Sequence, residues 1–254
     1  MLYFVKEDSI VREIWGKGDT ILFIFAGASA EFALNKAVDW LYFTGRLPAD
    51  PLGRLFSTVS YARGIVFSEY ETAIRTIDKI NAIHEGVEKN RSSKIPDWAY
   101  RDVLFMLIDY SIRSFELLER KLTEDEKAET FDVFYRVGVQ MKIEGLPQNY
   151  PEYLVMRKNH LQQDLACSNY TRDLYKQFRK HLGWTRYQIL KQAQVLIVPD
   201  KVKQLLSLGN IRFLAPAISI YKLFRTLNIE DLLKDAILPS GYKKEIKELD
   251  SNKL

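Results

Sequence analysis

Two long amphipathic segments joined by a polar loop, residues 68–120, constrain this chain more than any other feature. The first carries Ala73, Ile77, Ile80, His84 and Val87 at steps of three and four, which puts all five on one stripe of an α-helix. The second repeats the pattern with Leu104, Ile108, Ser111, Phe115 and Leu118. Between them, Asn90-Arg91-Ser92-Ser93-Lys94-Ile95-Pro96 breaks the periodicity. Apolar stripes of this length must be covered by other helices. A histidine within such a stripe poses the functional question. Either His84 faces a ligand, or it is packed in the core and bonded to a carbonyl or a carboxylate.

The flanking segments extend the helical pattern. Asp8 or Ser9 caps a short helix with Ile10, Val11, Ile14 and Trp15, and Gly16 and Gly18 end it. Ile21 to Ala30 is the most apolar run. It reads as part of a buried central helix from Asp19 to Phe43, because Glu31, Lys36 and Asp39 interrupt it well short of the roughly 20 apolar residues that span a bilayer. Asp50-Pro51 opens a third helix, with Leu52, Leu55, Phe56, Val59 and Ala62 inward. Asp97 is placed to cap the second helix of the central pair. Thr123 and Glu126 form a capping box, and the helix they open keeps Phe131, Phe134, Gly138 and Met141 on one side. Gly138 marks close approach of a neighbouring helix or a ligand. Pro151 begins a helix to Cys167, and Asn169 or Thr171 begins a polar one ending near Gly183. Residues 185–195 and 200–208 are helical on either side of Pro199, followed by an amphipathic basic helix from Phe213 to Leu227. No stretch alternates as strands do. The fold class expected is all-α: a single multi-helix domain over 1–238, with roughly nine to eleven helices, then a charged tail over 239–254.

Composition narrows the function classes. Net charge is +4, from 37 basic and 33 acidic residues well mixed, so nothing calls for nucleic acid. One cysteine, Cys167, excludes an internal disulfide and a thiolate-rich metal site, and fits a reducing, cytoplasmic setting. The N-terminus lacks the apolar run of a secretory signal. No glycine-rich phosphate loop, Gly-x-Ser-x-Gly elbow, His-Glu-x-x-His or Cys-x-x-Cys is present, which argues against common nucleotide-dependent transferases, serine hydrolases and zinc proteases. His84 is the best candidate for catalysis or metal ligation. His160, after Arg157-Lys158-Asn159, and His181, in a basic run, read as surface residues. Asp109, Arg113, Glu116 and Arg120 follow at three- and four-residue steps and read as a solvent face laced by ion pairs. The segment from Ile211 to Arg225 is a candidate for peripheral membrane contact, against core packing.

The order of segments adds a further reading. Val11-Arg12-Glu13-Ile14-Trp15-Gly16 opens the chain, and an apolar helix with Gly27 follows. Then come Asp50-Pro51-Leu52-Gly53-Arg54-Leu55, Glu71-Thr72-Ala73 and Ile80-Asn81-Ala82-Ile83-His84-Glu85-Gly86-Val87. Leu122-Thr123-Glu124-Asp125-Glu126, Gly145-Leu146-Pro147 and Val195-Leu196-Ile197-Val198-Pro199 complete the series. Between Ser9 and Leu208 this succession resembles the oxygenase MpaB / latex-clearing rubber oxygenase catalytic domain family.

The resemblance implies an all-α domain, with b-type haem in the rubber oxygenases and oxidative C=C cleavage in characterised members. The family histidine of the His-x-x-Val type falls on His84, and its valine on Val87. Two departures stand out. Many members carry Ala-His-Pro where this chain has Asn35-Lys36-Ala37. Many carry Trp-Val-His in the fifth helix, the place implied for the iron-ligating histidine, and here that segment, Phe105 to Tyr110, has none. Iron needs a firm axial ligand, so Met106 and Tyr110 join His84 as candidate cofactor ligands. Two expectations follow: a haem-dependent oxygenase (an oxidoreductase) acting on an apolar small molecule near His84, or a member that keeps the fold as a ligand-binding or scaffold protein without haem.

Overall fold

The computed structural model describes residues 2–45 and 49–209. Within them the chain is helical throughout, in the order α1 (Ile10–Trp15), α2 (Gly18–Phe32), α3 (Asp39–Phe43), α4 (Pro51–Val66), α5 (Tyr70–Arg91), α6 (Asp97–Leu118), α7 (Glu124–Gln140), α8 (Tyr150–Gln163), α9 (Asn169–Ile197) and α10 (Asp200–Leu206). Two isolated bridges, Tyr3 with Glu69 and Asn35 with Leu165, are the only strand-like pairings among the described residues. The amphipathic segment from Phe213 to Leu227, the tail 239–254, and the side chains of Leu52 and Leu55 lie outside what is described.

Local chemistry sets the helix starts. Ser9 accepts from the Val11 N–H at 3.2 Å, and Asp50 accepts from Gly53 at 2.9 Å with Pro51 in the first turn. The Thr123–Glu126 box closes in both directions, at 2.8 and 3.2 Å. Asp97 does not cap α6: Pro96 holds that position, and Asp97 is already helical. The central apolar helix is shorter than its sequence suggests. It stops at Phe32 because Asn35 accepts from the Ala37 N–H at 2.8 Å, folding the chain into a turn, and pairs its backbone with Leu165. The helix opened by Pro151 likewise ends at Gln163, four residues before Cys167, where that bridge takes over. Residues 169–197 run as one helix kinked at Gly183, whose φ of 73° only glycine adopts readily.

α2 is the axis of the bundle and makes its most extensive contact with α6. The two backbones approach at Gly27, where a Cβ would stand 2.2 Å from the Tyr110 ring. α1 is pinned to α6 by the buried Trp15 indole N–H, which donates to Ser111 at 3.2 Å. α9 is tied to α2 through Gln194, which donates to Ser29 at 3.3 Å and accepts from Tyr175 at 2.9 Å. Gly138 receives Leu104 and Leu146 so closely that a Cβ would lie 2.8 and 2.9 Å from their methyl groups, so the close neighbour is side-chain packing. The α6 stripe of Leu104, Ile108, Ser111, Phe115 and Leu118 is buried along its whole length. The α5 stripe divides: Ala73 and Ile77 are fully buried, whereas Ile80, His84 and Val87 are only partly covered.

This packing generates a paired prediction. Gly27→Ala overpacks the α2–α6 crossing and is expected to cost about 2 kcal/mol in urea denaturation. Gly86→Ala, whose Cβ meets nothing within 4 Å, should instead gain about 0.5–1 kcal/mol from helix propensity.

Candidate functional site

The partly covered half of the α5 stripe faces a cavity of about 1100 Å³. That is just above the roughly 300–1,000 Å³ usual for ligand pockets. Phe25 and Ala28 of α2, Ile65 of α4, Ile80 and Val87 of α5, and Leu104 and Leu107 of α6 give it an apolar wall. His84 and Met106 line the same cavity, so two of the three side chains singled out from the sequence come together there. Tyr110 does not line it. Its ring packs on Gly27, it is fully buried, and its hydroxyl donates to Glu31 at 2.8 Å.

The His84 ring is held edge-on by Tyr100, with centroids 5.1 Å apart. Tyr100 donates to Glu88 at 3.2 Å, and Glu88 also accepts from the Ile95 N–H at 2.8 Å, so the loop after α5 braces the ring indirectly. Burial, helped by the Arg54 charge and opposed by Glu88, lowers the His84 pKa to about 4. The imidazole is therefore neutral at physiological pH, the form that ligates metals. Its Nδ1 is buried with no hydrogen-bond partner. A buried polar atom without a partner costs stability and calls for a reason.

On the other side of α2 lies a second polar centre. Glu31, fully buried near the end of α2, receives a two-pronged ion pair from Arg157 of α8, one arm Nη2 to Oε2 at 2.6 Å and the other Nη1 to Oε1. Arg157 also bonds Asp109 of α6 at 2.9 Å. His160, one turn after Arg157, places Nε2 3.1 Å from Glu31. Its Nδ1 is 2.7 Å from Asp102 of α6 and 3.3 Å from Asp164. Asn35 donates to Asp102 at 3.2 Å. Burial would raise the Glu31 pKa, but Arg157 and His160 outweigh it and bring it to about 2. Burial likewise opposes the charged form of His160, yet bonds to Asp102 and Glu31 raise its pKa to about 9.

Several expectations need correcting. His160 is 3 % exposed and central to this cluster, whereas His181 is on the surface as expected. Asp109 does not belong to a solvent face, since it bridges Arg157 inside and Arg113 outside. The Asp109–Arg113 pair of the expected ladder forms, but Glu116 pairs with Lys121 and Lys127, and Arg120 with Glu126, so the ladder does not continue along α6. One signal pointed to the cluster: Tyr153, Arg157 and His160 fall at steps of four and three on α8, a single helical face, and all three are buried. A lone Glu31 directly after the most apolar run was the matching signal on α2.

Two predictions follow. Arg157→Ala strands a buried carboxylate and is expected to cost about 3–5 kcal/mol, while Arg113→Ala, on the exposed side of Asp109, should cost under about 1 kcal/mol, both read from chemical denaturation. The second concerns acid stability. His84 titrates near 4 when folded and near 6.5 when unfolded, so between those values the unfolded chain binds the extra proton. The His84 contribution to stability is complete above pH 6.5 and is lost as pH falls toward 4. A His84→Leu protein should lack that slope in its denaturation midpoint against pH.

No curated protein matches the sequence. The family model for the ER-bound oxygenase mpaB/B′/rubber oxygenase catalytic domain matches residues 15–227. That span includes both polar centres and every helix from α2 to α10. The chain belongs to the mpaB/rubber oxygenase catalytic domain family.

Proposed function

We propose that this protein is a haem-dependent oxygenase, and that the cavity beside His84 is where b-type haem and an apolar substrate meet. One observation carries the reading: a neutral imidazole with a partnerless buried nitrogen lines an apolar space large enough for a flat cofactor. Family membership supports oxygenase-type chemistry.

The residues present suit such a group. His84 supplies a nitrogen that is unprotonated at working pH, and Tyr100 holds the plane of its ring. The Met106 thioether, on α6, is a second donor lining the same cavity. Bound haem would supply the iron that binds and activates dioxygen, the oxidant that takes electrons from the substrate. The apolar lining from α2, α4, α5 and α6 excludes water and selects a hydrocarbon-like substrate by its burial. A helical scaffold without haem is the second reading. Its supporting observation is that Asp109, in the segment where the family histidine is expected, is committed to Arg157 and Arg113.

An absorption spectrum separates the two. Protein from haem-supplemented cells is expected to show a Soret band with stoichiometric iron, and the band should weaken in His84→Ala. Colourless protein that takes up no haemin would remove the haem reading and leave the scaffold. The functional and structural readings of His84 make opposite stability predictions as well. His84→Leu removes the partnerless atom and should raise stability by about 1 kcal/mol at pH 7 if the ring is kept for function.

A further inference from the structure

The cluster beyond α2 has a feature that ion pairing alone leaves over. Glu31 and Asp109 pair with the guanidinium groups of Arg157 and Arg113, whereas two further carboxylates, of Asp102 and Asp164, converge on His160. An imidazolium at His160 still leaves one negative charge over. A neutral imidazole together with a divalent cation leaves none. The charge left over by an imidazolium sits at Asp164, the partly exposed member, since buried Glu31 and Asp102 are matched by buried Arg157 and that imidazolium; what remains is that Asp102 and Asp164 both face His160 Nδ1, which carries one hydrogen at most. The ammonium of Lys36 does not supply the balance through an ion pair; it bonds the Gln163 carbonyl.

We propose that Asp102, His160 and Asp164 form a binding site for one divalent transition-metal ion, separate from the His84 cavity. Each offers a donor atom, and the three atoms lie within 4.8 Å of one another. Zinc bonds nitrogen and carboxylate oxygen at about 2.0–2.2 Å, so two ligands of one tetrahedral ion stand about 3.3 Å apart. His160 Nδ1 to Asp164 meets that spacing at 3.3 Å, and Nδ1 to Asp102, at 2.7 Å, needs about half an ångström of opening. The supports have the form a metal site requires. The opposite ring nitrogen, Nε2, faces the Glu31 carboxylate, which fixes ring and tautomer as carboxylates do for metal-bound imidazoles. Glu31 is itself held by Arg157 and Tyr110, and Asp102 by Asn35. One nitrogen and two oxygens favour zinc, manganese, iron or cobalt over copper(I), which wants sulfur. Asp164 is the half-exposed member, on the side from which an ion enters. Asn35 also lines the His84 cavity, so the metal site adjoins that cavity through one side chain.

The test uses the full chain, stripped with a chelator and titrated with Co²⁺ by absorbance and calorimetry. The expected result is one Co²⁺ per chain, displaced by equimolar Zn²⁺. Asp164→Asn, at the rim, should weaken uptake at least tenfold without loss of helicity, and His160→Gln should abolish it. His84→Ala and Cys167→Ser should leave it unchanged. His84→Ala keeps this outcome independent of the haem question, and Cys167→Ser covers the exposed thiol three residues after Asp164. No uptake by folded wild-type protein, equal affinity in the Asp164 and His160 variants, or loss of binding in Cys167→Ser would overturn the proposal and leave the cluster an imidazolium ion-pair network.

Discussion

The Glu31–Arg157 pair is the interaction on which the arrangement of this bundle depends. It joins α2 to α8 with both charges removed from solvent. α6 enters through Tyr110, Asp109 and Asp102. A charge pair in such a place contributes little net stability compared with well-packed apolar side chains, because desolvation offsets the attraction. What it contributes is selectivity. A shift of α8 by one residue along its axis would turn Arg157 away from Glu31 and leave both charges unpaired in the core. The three helices therefore have one register that pairs Arg157 with both Glu31 and Asp109, and apolar packing then fills the space around it.

That register also places the cavity. α2 has Phe25 and Ala28 on the cavity side and Glu31 on the charged side, so the same helix separates an apolar space from an ionic one. The two histidines that matter differ accordingly. His84 meets mostly hydrocarbon and is driven toward its neutral form, while His160 meets carboxylates and is driven toward its charged form. Identical side chains become a candidate ligand with a free lone pair and a candidate cation or metal partner through surroundings alone. Asn35 bridges the two spaces: its side chain organises the turn after α2, touches Asp102 and reaches the cavity wall. It stands where many relatives were expected to carry the first residue of Ala-His-Pro. Its amide stands at the boundary between helix end, carboxylate and cavity.

Much of the architecture was legible because it rests on short-range rules. The Thr123–Glu126 box, the Asp50-Pro51 entry, the kink at Gly183 and the α6 stripe are each decided within a turn or two of the residues that cause them. The failures share a cause of the opposite kind. The central helix was extended past Phe32 because the turn at Asn35 depends on a partner, Leu165, far along the chain. Asp109 was assigned to solvent from its spacing on α6 alone, and only α8 laid against it brings Arg157 within reach. His160 was assigned to the surface from its polar neighbours, although Tyr153, Arg157 and His160 share one helical face. Periodicity detects apolar stripes and misses charged ones, since a buried charge looks like a surface charge until its counter-charge is known.

By itself the sequence determined that the chain is helical, where most helices begin, and that His84 lies on a covered stripe. Family membership too was carried by the order of its segments. Only the tertiary structure decided that the α5 stripe runs out of core into a cavity, and that four distant acids, two arginines and His160 meet beyond α2. The reason is physical. Backbone hydrogen bonding and side-chain periodicity act over a few residues, whereas the energy of a buried charge is set by groups that folding brings from 48 to 129 positions away.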